Sequence, residues 1–188
     1  MELKYLSKKE NLKDIFNIIQ KEIPSSLFKK IGYEYFNHLV QEKFIHVYII
    51  KKNKKIASII TVVDYKSYRL LGKETMIYLF KKPYLLIKNL FTIIKSSSKN
   101  LNLNLNKNYL HLLHLIIFSK YFKEMSLTKK DKVINIFYKK IAKKHKSKYI
   151  FLCLEKENIK ALRYYKRNKF KFFYNANSLI YLKKSFKN

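Results

Sequence analysis

Apolar positions at the start of the chain predict a strand followed by a helix. Glu2–Leu6 has the composition of a short strand. Ser7 and Glu10 form a capping-box pattern, in which two polar side chains satisfy the first free amides of a helix. Helical spacing then places four residues on one buried face: Leu12, Ile15, Phe16 and Ile19.

A second helix and a β-hairpin are predicted next. The helix is predicted to start after Pro24, with Ser25 or Ser26 as its N-cap. Its predicted buried positions are Leu27, Ile31, Phe36 and Leu39. Two runs rich in β-branched and aromatic residues, Phe44–Ile50 and Ile56–Val63, flank the polar sequence KKNKK. This arrangement predicts a hairpin, although its turn lacks glycine.

The middle of the chain predicts a helical insertion. Helical spacing runs from about Gly72 to Ser98, and Pro83 divides this segment into two predicted helices. Its apolar positions include Leu86, Leu90, Phe91 and Ile94. Lys95–Asn108 has the composition of a linker, although its LNLNLN run also has the period of a strand. We therefore expect a helical insertion over about residues 66–100 of a single domain that spans residues 1–188.

Strands and helices alternate in the C-terminal half. A helix is predicted to open at a capping box formed by Thr128 and Asp131. The predicted order is strand Tyr109–Phe118, helix Lys132–His145, strand Tyr149–Glu155, helix Asn158–Asn168 and two short strands within Lys169–Lys184. This alternation predicts an α/β layered domain with some parallel strand pairing.

The composition is that of a folded chain with an excess of lysine. Apolar residues make up 48% of the chain, which includes 14 Phe and 16 Tyr, far more than disordered chains carry. A net charge of +30 ordinarily indicates a nucleic-acid or anionic membrane partner. However, only three of the 42 basic residues are arginine, which recognises phosphates and bases best. An abundance of Lys, Asn and Ile with little Gly, Pro and Trp indicates an AT-rich coding sequence, which accounts for most of the charge. We therefore expect no specific nucleic-acid partner.

Several kinds of site and location are not predicted. Cys153 is the one cysteine and lies in an apolar run, which indicates an inert thiol and excludes an internal disulfide. No spacing of His, Cys, Asp and Glu indicates a metal site. The N-terminus lacks an apolar signal-peptide run, and the most apolar stretch, Thr75–Ile94, is interrupted by lysines and Pro83. We therefore expect a cytoplasmic protein with no membrane span and no metal.

A motif near the C-terminus carries a resemblance to a known family. Asn158–Phe170, NIKALRYYKRNKF, follows the pattern N-x-x-A-x-x-(F/Y)-Y-x-x-x-G-F, with Lys169 in the place of the glycine. Upstream, Ile117 and Tyr121 take the Val and Tyr positions of a V-x-P-x-Y strand exit. From about His111 to Leu182 the chain resembles the GNAT N-acetyltransferase superfamily, and the layout before this region is compatible with it.

The resemblance implies a fold, an acyl donor and several site residues. The fold would be α/β, with a mixed, partly split central sheet flanked by helices, and acetyl-CoA would be the acyl donor. In this family pantetheine lies in the gap after the fourth strand and pairs with exposed backbone there. Carried over, the backbone of Leu115, Ile116 and Ile117 would bind pantetheine, and Asn158 would contact the cofactor. Tyr165 would donate a proton to the departing CoA thiolate, whereas its neighbour Tyr164 would serve packing.

The pyrophosphate loop of the family is altered in this chain. The family uses a loop of the form (R/Q)-x-x-G-x-(G/A), in which bare backbone amides and a helix N-terminus hold the phosphates. The aligned segment is TKKDKV, Thr128–Val133, which contains no glycine. Phosphate-directed charge would come from Lys129, Lys130 and Lys132, with Val133 ending the loop. Asp131 would repel the phosphates from this position.

A general base is expected on the acceptor side of the site. By residue type the candidates are His111, His114, Glu74 and Glu155. We favour His114, because acceptor substrates of the family often meet the fourth strand.

The sequence thus predicts transfer of an acetyl group from acetyl-CoA to a primary amine of a small molecule by direct attack. A nucleotide-linked amino sugar is the first candidate acceptor, because Ile23–Gly32 and the insertion resemble bacterial members associated with surface-polysaccharide synthesis. Two alternatives stay open. One is a GNAT-fold binding module without catalysis, and the other is a basic protein that binds nucleic acid or anionic membrane through Arg163–Tyr174, RYYKRNKFKFFY.

Overall fold

One mixed β-sheet organises the described part of the chain. The structure is a computed structural model that describes residues 1–6, 12–23, 26–85, 87, 108–176 and 178–186. Within these residues, seven strands follow the order β1-β2-β3-β4-β5-β7-β6. The strands are β1 (Glu2–Tyr5), β2 (His46–Lys52), β3 (Lys55–Asp64), β4 (Tyr109–Ile117), β5 (Tyr149–Glu155), β6 (Lys171–Ala176) and β7 (Leu179–Ser185). Neighbours pair antiparallel except for β4 and β5, which are parallel.

Helices cover both faces of this sheet. They are α1 (Leu12–Glu22), α2 (Leu27–Ile31), α3 (Tyr33–Gln41), α4 (Tyr65–Phe80), α5 (Leu127–Lys144) and α6 (Ile159–Arg167). The first face carries α1 to α4, and its core includes Ile19, Phe36 and Leu79. The second face carries α5 and α6, and its core includes Ile134 and Ile141. The predicted α/β layering is therefore confirmed.

The predicted hairpin and the predicted first helix are confirmed. β2 and β3 pair from His46 opposite Val62 to Lys52 opposite Lys55. Asn53 and Lys54 form the turn with φ values of 51° and 62°, the left-handed conformation of a type I′ turn. The four predicted positions of α1 are all buried: Leu12, Ile15, Phe16 and Ile19.

The second predicted helix is broken into two. Gly32 separates α2 from α3 with φ of 111°, a conformation that side-chain-bearing residues rarely adopt. Ser26 is the N-cap position of α2, but its side chain makes no capping hydrogen bond. Of the predicted buried positions, Ile31, Phe36 and Leu39 are buried as expected.

The helix after the hairpin starts earlier than predicted. α4 begins at Tyr65, because the Asp64 side chain caps it by accepting a hydrogen bond from the Ser67 amide at 2.8 Å. α4 ends at Phe80, before Pro83. Several predicted features lie outside the described residues: the Ser7–Glu10 cap, Pro24, Ser25, Leu86, Leu90, Phe91, Ile94 and the linker through Lys107.

The sheet opens between β4 and β5. Their register joins only Tyr109–His111 to Tyr149–Phe151. Beyond these pairs β4 continues to Ile117 beside β3, and β5 continues to Glu155 beside β7. We call the gap between Leu112–Ile117 and Leu152–Glu155 the β4–β5 split. It confirms the prediction of a mixed, partly split central sheet.

Candidate active site

The backbone of β4 forms one wall of the β4–β5 split. One edge of β4 pairs with β3 over Leu110–Ile117, so the opposite edge faces the split. The predicted pantetheine-binding residues Leu115, Ile116 and Ile117 lie on this wall. Leu115 and Ile117 turn their side chains to the second face, and Ile116 turns its own to the first. Their backbone groups on the open edge lack a strand partner among the described strands, as a strand-like ligand would require.

Tyr165 lies under the second face, on α6. Its ring packs edge-on against Phe170 and Tyr164, each with centroids 5.2 Å away. Burial raises the pKa of the Tyr165 hydroxyl well above its usual range, so the hydroxyl is protonated at neutral pH. This is the protonation state that a proton donor to a thiolate needs. Tyr164 is also largely buried, in agreement with its predicted packing role.

Asn158 has a structural role that explains part of the motif. Its side-chain oxygen accepts a hydrogen bond from the Ala161 amide at 3.1 Å, which caps the N-terminus of α6. Ala161 packs against the second-face core. The N-x-x-A spacing is therefore that of a helix cap with a small residue turned inward. Asn158 itself is exposed, so its predicted contact with a cofactor is sterically open.

The segment assigned to the pyrophosphate loop is helical. Ser126 caps α5, and its hydroxyl accepts a hydrogen bond from the Lys129 amide at 3.3 Å. The predicted capping box at Thr128 and Asp131 is therefore wrong, because the helix begins two residues earlier at a competing hydroxyl. Lys129, Lys130, Lys132 and Val133 all lie within the first two turns of α5.

The free amides at the start of α5 lie upstream of most of the predicted loop. Lys123–Ser126 leads into the helix, whose first residue is Leu127. The amides of Leu127 and Thr128 precede the first intrahelical hydrogen bond, which Lys130 donates to the Ser126 carbonyl. All residues from Ser126 to Lys129 are exposed, so none of the described residues covers this helix end. The Val133 amide is instead part of the helix, and its side chain packs on the core.

Asp131 does not point at this helix end. Its carboxylate is bound by Arg167 on α6, which donates from Nε to Oδ2 and from Nη2 to Oδ1, the latter at 3.3 Å. A bidentate guanidinium neutralises the carboxylate and fixes its direction. The expectation that Asp131 repels phosphates did not include this pairing, which offsets the charge of the carboxylate.

His114 and His111 point from β4 to the first face. His114 Nε2 shares a hydrogen bond with Ser26 Oγ at 3.2 Å, and Phe28 packs edge-on against the ring. His111 stacks on Tyr68 of α4 with centroids 4.4 Å apart. Burial lowers the pKa of each histidine to about 4, so both are neutral at physiological pH.

The two acidic candidates are placed differently. Glu74 on α4 accepts a hydrogen bond from the His38 ring, with Oε1 and Nε2 2.8 Å apart. Glu155 is exposed at the end of β5, at the far end of the split. His114 is the candidate whose ring lies beside the wall formed by β4. The contact between His114 and Ser26 could not be predicted from the sequence. The Ser126 cap could have been, because serine is preferred at the N-cap position of a helix.

The proposed basic and aromatic platform at Arg163–Tyr174 is largely used for packing. Tyr164, Tyr165 and Phe170 contact one another or the second-face core. Among the aromatic residues of this stretch, Phe172 is the most exposed, at 62%, followed by Tyr174 at 40%. Stacked nucleotide bases would need several exposed rings in a row, so this arrangement gives the nucleic-acid alternative no support.

The described residues contain neither a candidate metal cluster nor a candidate membrane span. No group of three or more His, Cys, Asp or Glu side chains there is arranged to hold a metal ion. None of the helices in the same residues combines the length and apolarity that crossing a membrane demands.

Comparison with known proteins gives structural matches only. No protein-family model matches the chain, and no curated protein matches its sequence significantly. N-acetyltransferase PseH from Campylobacter jejuni in complex with acetyl coenzyme A matches with a TM-score of 0.56 at 13% identity, covering 98% of this chain and 99% of that one. A GNAT-family acetyltransferase from Listeria monocytogenes matches with 0.56 at 14% identity, covering 98% and 94%. Ribosomal-protein-alanine N-acetyltransferase from Brucella melitensis matches with 0.57 at 7% identity, covering 99% and 100%.

These matches extend over nearly the whole of each chain. Their sequence identities, 7% to 14%, are low enough that the matches show a shared fold and nothing more. The same fold was expected from the motif at Asn158–Phe170, and the β4–β5 split lies where that expectation placed it. The chain therefore has the fold of the GNAT N-acetyltransferases.

Proposed function

We propose that the protein is an N-acetyltransferase that moves the acetyl group of acetyl-CoA to a primary amine by direct attack. The observation that carries the proposal is the β4–β5 split, which presents the open backbone edge of Leu112–Ile117 in the middle of the sheet. A solved protein of this fold, the Campylobacter enzyme, was crystallised with acetyl coenzyme A. The chain offers features that suit the pantetheine, pyrophosphate and thioester parts of that molecule.

Two elements would hold acetyl-CoA. The open edge at Leu115–Ile117 would pair with the amide groups of pantetheine. The first amides of α5, at Leu127 and Thr128, would bind the pyrophosphate together with the positive end of the helix dipole. Lys129 and Lys132, both exposed, would add charge to this end. The Arg167 contact removes the opposing charge of Asp131.

The reaction needs three contributions from the protein. The amine nitrogen attacks the thioester carbonyl carbon, and a β4 amide polarises the carbonyl oxygen. The C–S bond then breaks, and the Tyr165 hydroxyl gives its proton to the departing thiolate. His114 Nδ1 takes the proton that the attacking nitrogen releases. No covalent bond to the protein forms in these steps.

The low pKa of His114 limits what it can do. With a pKa of about 4, the ring is too weak a base to deprotonate a free ammonium ion. The nitrogen of the tetrahedral adduct is far more acidic, so His114 can accept its proton. The acceptor would therefore bind as the neutral amine, and turnover would rise with pH up to the pKa of the acceptor.

The acceptor would be a small molecule with a primary amine. A nucleotide-linked amino sugar is the first candidate, on the resemblance of Ile23–Gly32 and the insertion to bacterial members linked to surface polysaccharides. The Brucella protein is named for a different acceptor, a ribosomal-protein alanine. An assay should therefore include nucleotide-linked amino sugars, polyamines and peptides with N-terminal alanine.

Thiol release from acetyl-CoA with this panel tests the proposal. With an active acceptor, we expect Tyr165→Phe to lower kcat by about 100-fold or more while acetyl-CoA binding changes less than about twofold. Tyr164→Phe is the matched control, because it removes the neighbouring hydroxyl from the same helix, and its kcat should stay near wild type. If the protein neither binds acetyl-CoA nor turns over any amine, the alternative of a binding module without catalysis replaces this proposal.

A further inference from the structure

Three polar side chains meet inside the apolar layer of the first face. Thr61 on β3 lies directly opposite His114 on β4 in the sheet register, so the two side chains share this face. Ser26 approaches from α2 and contacts the His114 ring. The next register pair on the same face is Ile59 opposite Ile116, both buried. Polar groups are costly in such surroundings unless they are hydrogen-bonded.

Two atoms of this cluster lack hydrogen-bond partners. Within the described residues, neither Thr61 Oγ1 nor His114 Nδ1 has one, although both atoms are buried. Thr61 is fully buried, with 0% of its surface exposed. A β-bulge lies beside this pair, because the register shifts between Thr61 and Val62, and bulges redirect side chains next to active sites. Cβ atoms of directly opposed residues in a regular pair lie about 4.5–5.5 Å apart, a spacing that lets one small polar group reach both side chains. Ser58, on the same strand, shows the usual arrangement, since its hydroxyl donates to the Ile116 carbonyl at 2.6 Å.

The contact with Ser26 decides which nitrogen of His114 carries the proton. If Nε2–H donates to Ser26 Oγ, the free Nδ1 is an acceptor. The other tautomer would leave a buried N–H at Nδ1 without an acceptor, which proteins tolerate less well than an unsatisfied lone pair. The geometry therefore favours Nδ1 as an acceptor that points into the layer shared with Thr61.

We propose that Thr61 Oγ1 and His114 Nδ1 together bind the amine of the acceptor, with Ser26 as a positioning residue for His114. This rests on the acetyltransferase function proposed above. A neutral primary amine has two N–H donors, one for each of these acceptors, and its lone pair then stays free to attack the thioester. A secondary amine has one N–H and can satisfy only one of the two atoms. The pair Thr61 and His114 therefore selects primary amines.

Thr61→Val gives the sharpest test, because valine has nearly the same shape without the hydroxyl. We expect it to lower kcat/KM for a primary amine by about tenfold or more, and to reduce the preference over the N-methylated form of the same acceptor. Its melting temperature should stay the same or rise, because an unsatisfied hydroxyl is replaced by a methyl group. Ser58→Ala is the matched control, since it removes a satisfied hydroxyl from the same strand and should lower the melting temperature.

Ser26 is tested by a spectroscopic readout. Nitrogen-15 NMR of the His114 ring should show a protonated Nε2 and an unprotonated Nδ1 in the wild type. Ser26→Ala should shift this tautomer balance, and Ser26→Thr should restore it, whereas a purely structural serine would leave it unchanged.

The outcomes separate the site from the proposed activity. A melting temperature of Thr61→Val that falls as far as that of Ser58→Ala would overturn the site, and so would a protonated Nδ1 in the wild type. Unchanged kinetics in Thr61→Val would overturn it as well. The stability and NMR measurements need no acceptor, so failure of the wild type to acetylate any amine would refute the activity independently.

Discussion

Replacing Asp131 with asparagine tests how the phosphate end of the candidate site is built. The Asp131 side chain is 10% exposed, whereas that of its partner Arg167 is 41% exposed. Loss of the carboxylate leaves the Arg167 guanidinium unpaired but still in contact with water. The loss of stability should therefore be larger than for an exposed ion pair, about 0–1 kcal/mol, and smaller than for a broken buried pair, about 3–5 kcal/mol. We expect Asp131→Asn to lower the free energy of unfolding by about 1–2 kcal/mol. For a chain of 188 residues this corresponds to a fall in Tm of roughly 2–8 °C.

The reverse substitution should cost more. Arg167→Met leaves the buried Asp131 carboxylate without its partner, and we expect a loss of about 3 kcal/mol. Glu124→Gln is the control, because Glu124 is 87% exposed and its contact with Lys52 is 3.4 Å long. This change should cost less than about 0.5 kcal/mol. The three variants can be compared by urea unfolding, followed by circular dichroism at pH 7.

Two results would refute this reasoning. One is an Asp131→Asn variant no less stable than Glu124→Gln, which would mean that the pair with Arg167 contributes nothing. The other is a gain of more than about fivefold in acetyl-CoA affinity for Asp131→Asn, because only a carboxylate directed at the phosphates would cause such a gain.

Three further predictions concern stability. Lys54→Gly should raise the free energy of unfolding by about 0.5–1 kcal/mol, because Lys54 has φ of 62° in a type I′ turn, a conformation that glycine adopts without strain. An unchanged Tm would contradict that turn. Gly32→Ala should lower the free energy of unfolding by about 1–3 kcal/mol, because alanine is strained at φ of 111°. An added Cβ meets no atom within 4 Å, so backbone strain is the only cost expected. An equally stable variant would refute the break between α2 and α3. His111, His114 and His145 each have a pKa lowered to about 4, chiefly by burial, against about 6.5 when unfolded. Between pH 6.5 and 4 the unfolded chain binds more protons, so stability should fall on acidification through this window. The fall should reach up to about 1.4 kcal/mol per pH unit for each of the buried His111 and His114, and less for the partly exposed His145. Urea unfolding of His145→Gln should show a slightly shallower fall, and an equal slope would contradict the prediction.

Local patterns predicted much of the fold. β2 and β3 are rich in β-branched residues around a polar turn, and this signal was sufficient although Lys54 stands where glycine is usual. The spacing of Asn158 and Ala161 reflects a helix cap, which depends on residues three apart and is therefore visible in the sequence. Both features need only neighbours along the chain.

Features that depend on distant residues were missed or misplaced. The start of α5 was misassigned, because Ser126 and Thr128 both suit a cap and the local pattern favoured Thr128 with Asp131. Asp131 is instead held by Arg167, which lies 36 residues away in sequence. Ser26 and His114 are 88 residues apart, and only the packing of α2 on the sheet brings them together. Tertiary packing leaves no periodic pattern in the sequence, so site geometry that depends on it could not be predicted.

Calorimetric titration of the purified protein with acetyl-CoA tests the central claim most directly. Moderate salt should be used to weaken nonspecific attraction between the ligand and a chain of net charge +30, with ATP as the control polyanion. The account predicts saturable binding at one site, clearly tighter than that of ATP, because the β4–β5 split holds pantetheine as well as phosphate. Binding no tighter than that of ATP would contradict the account and leave the chain as a GNAT fold without its acyl donor.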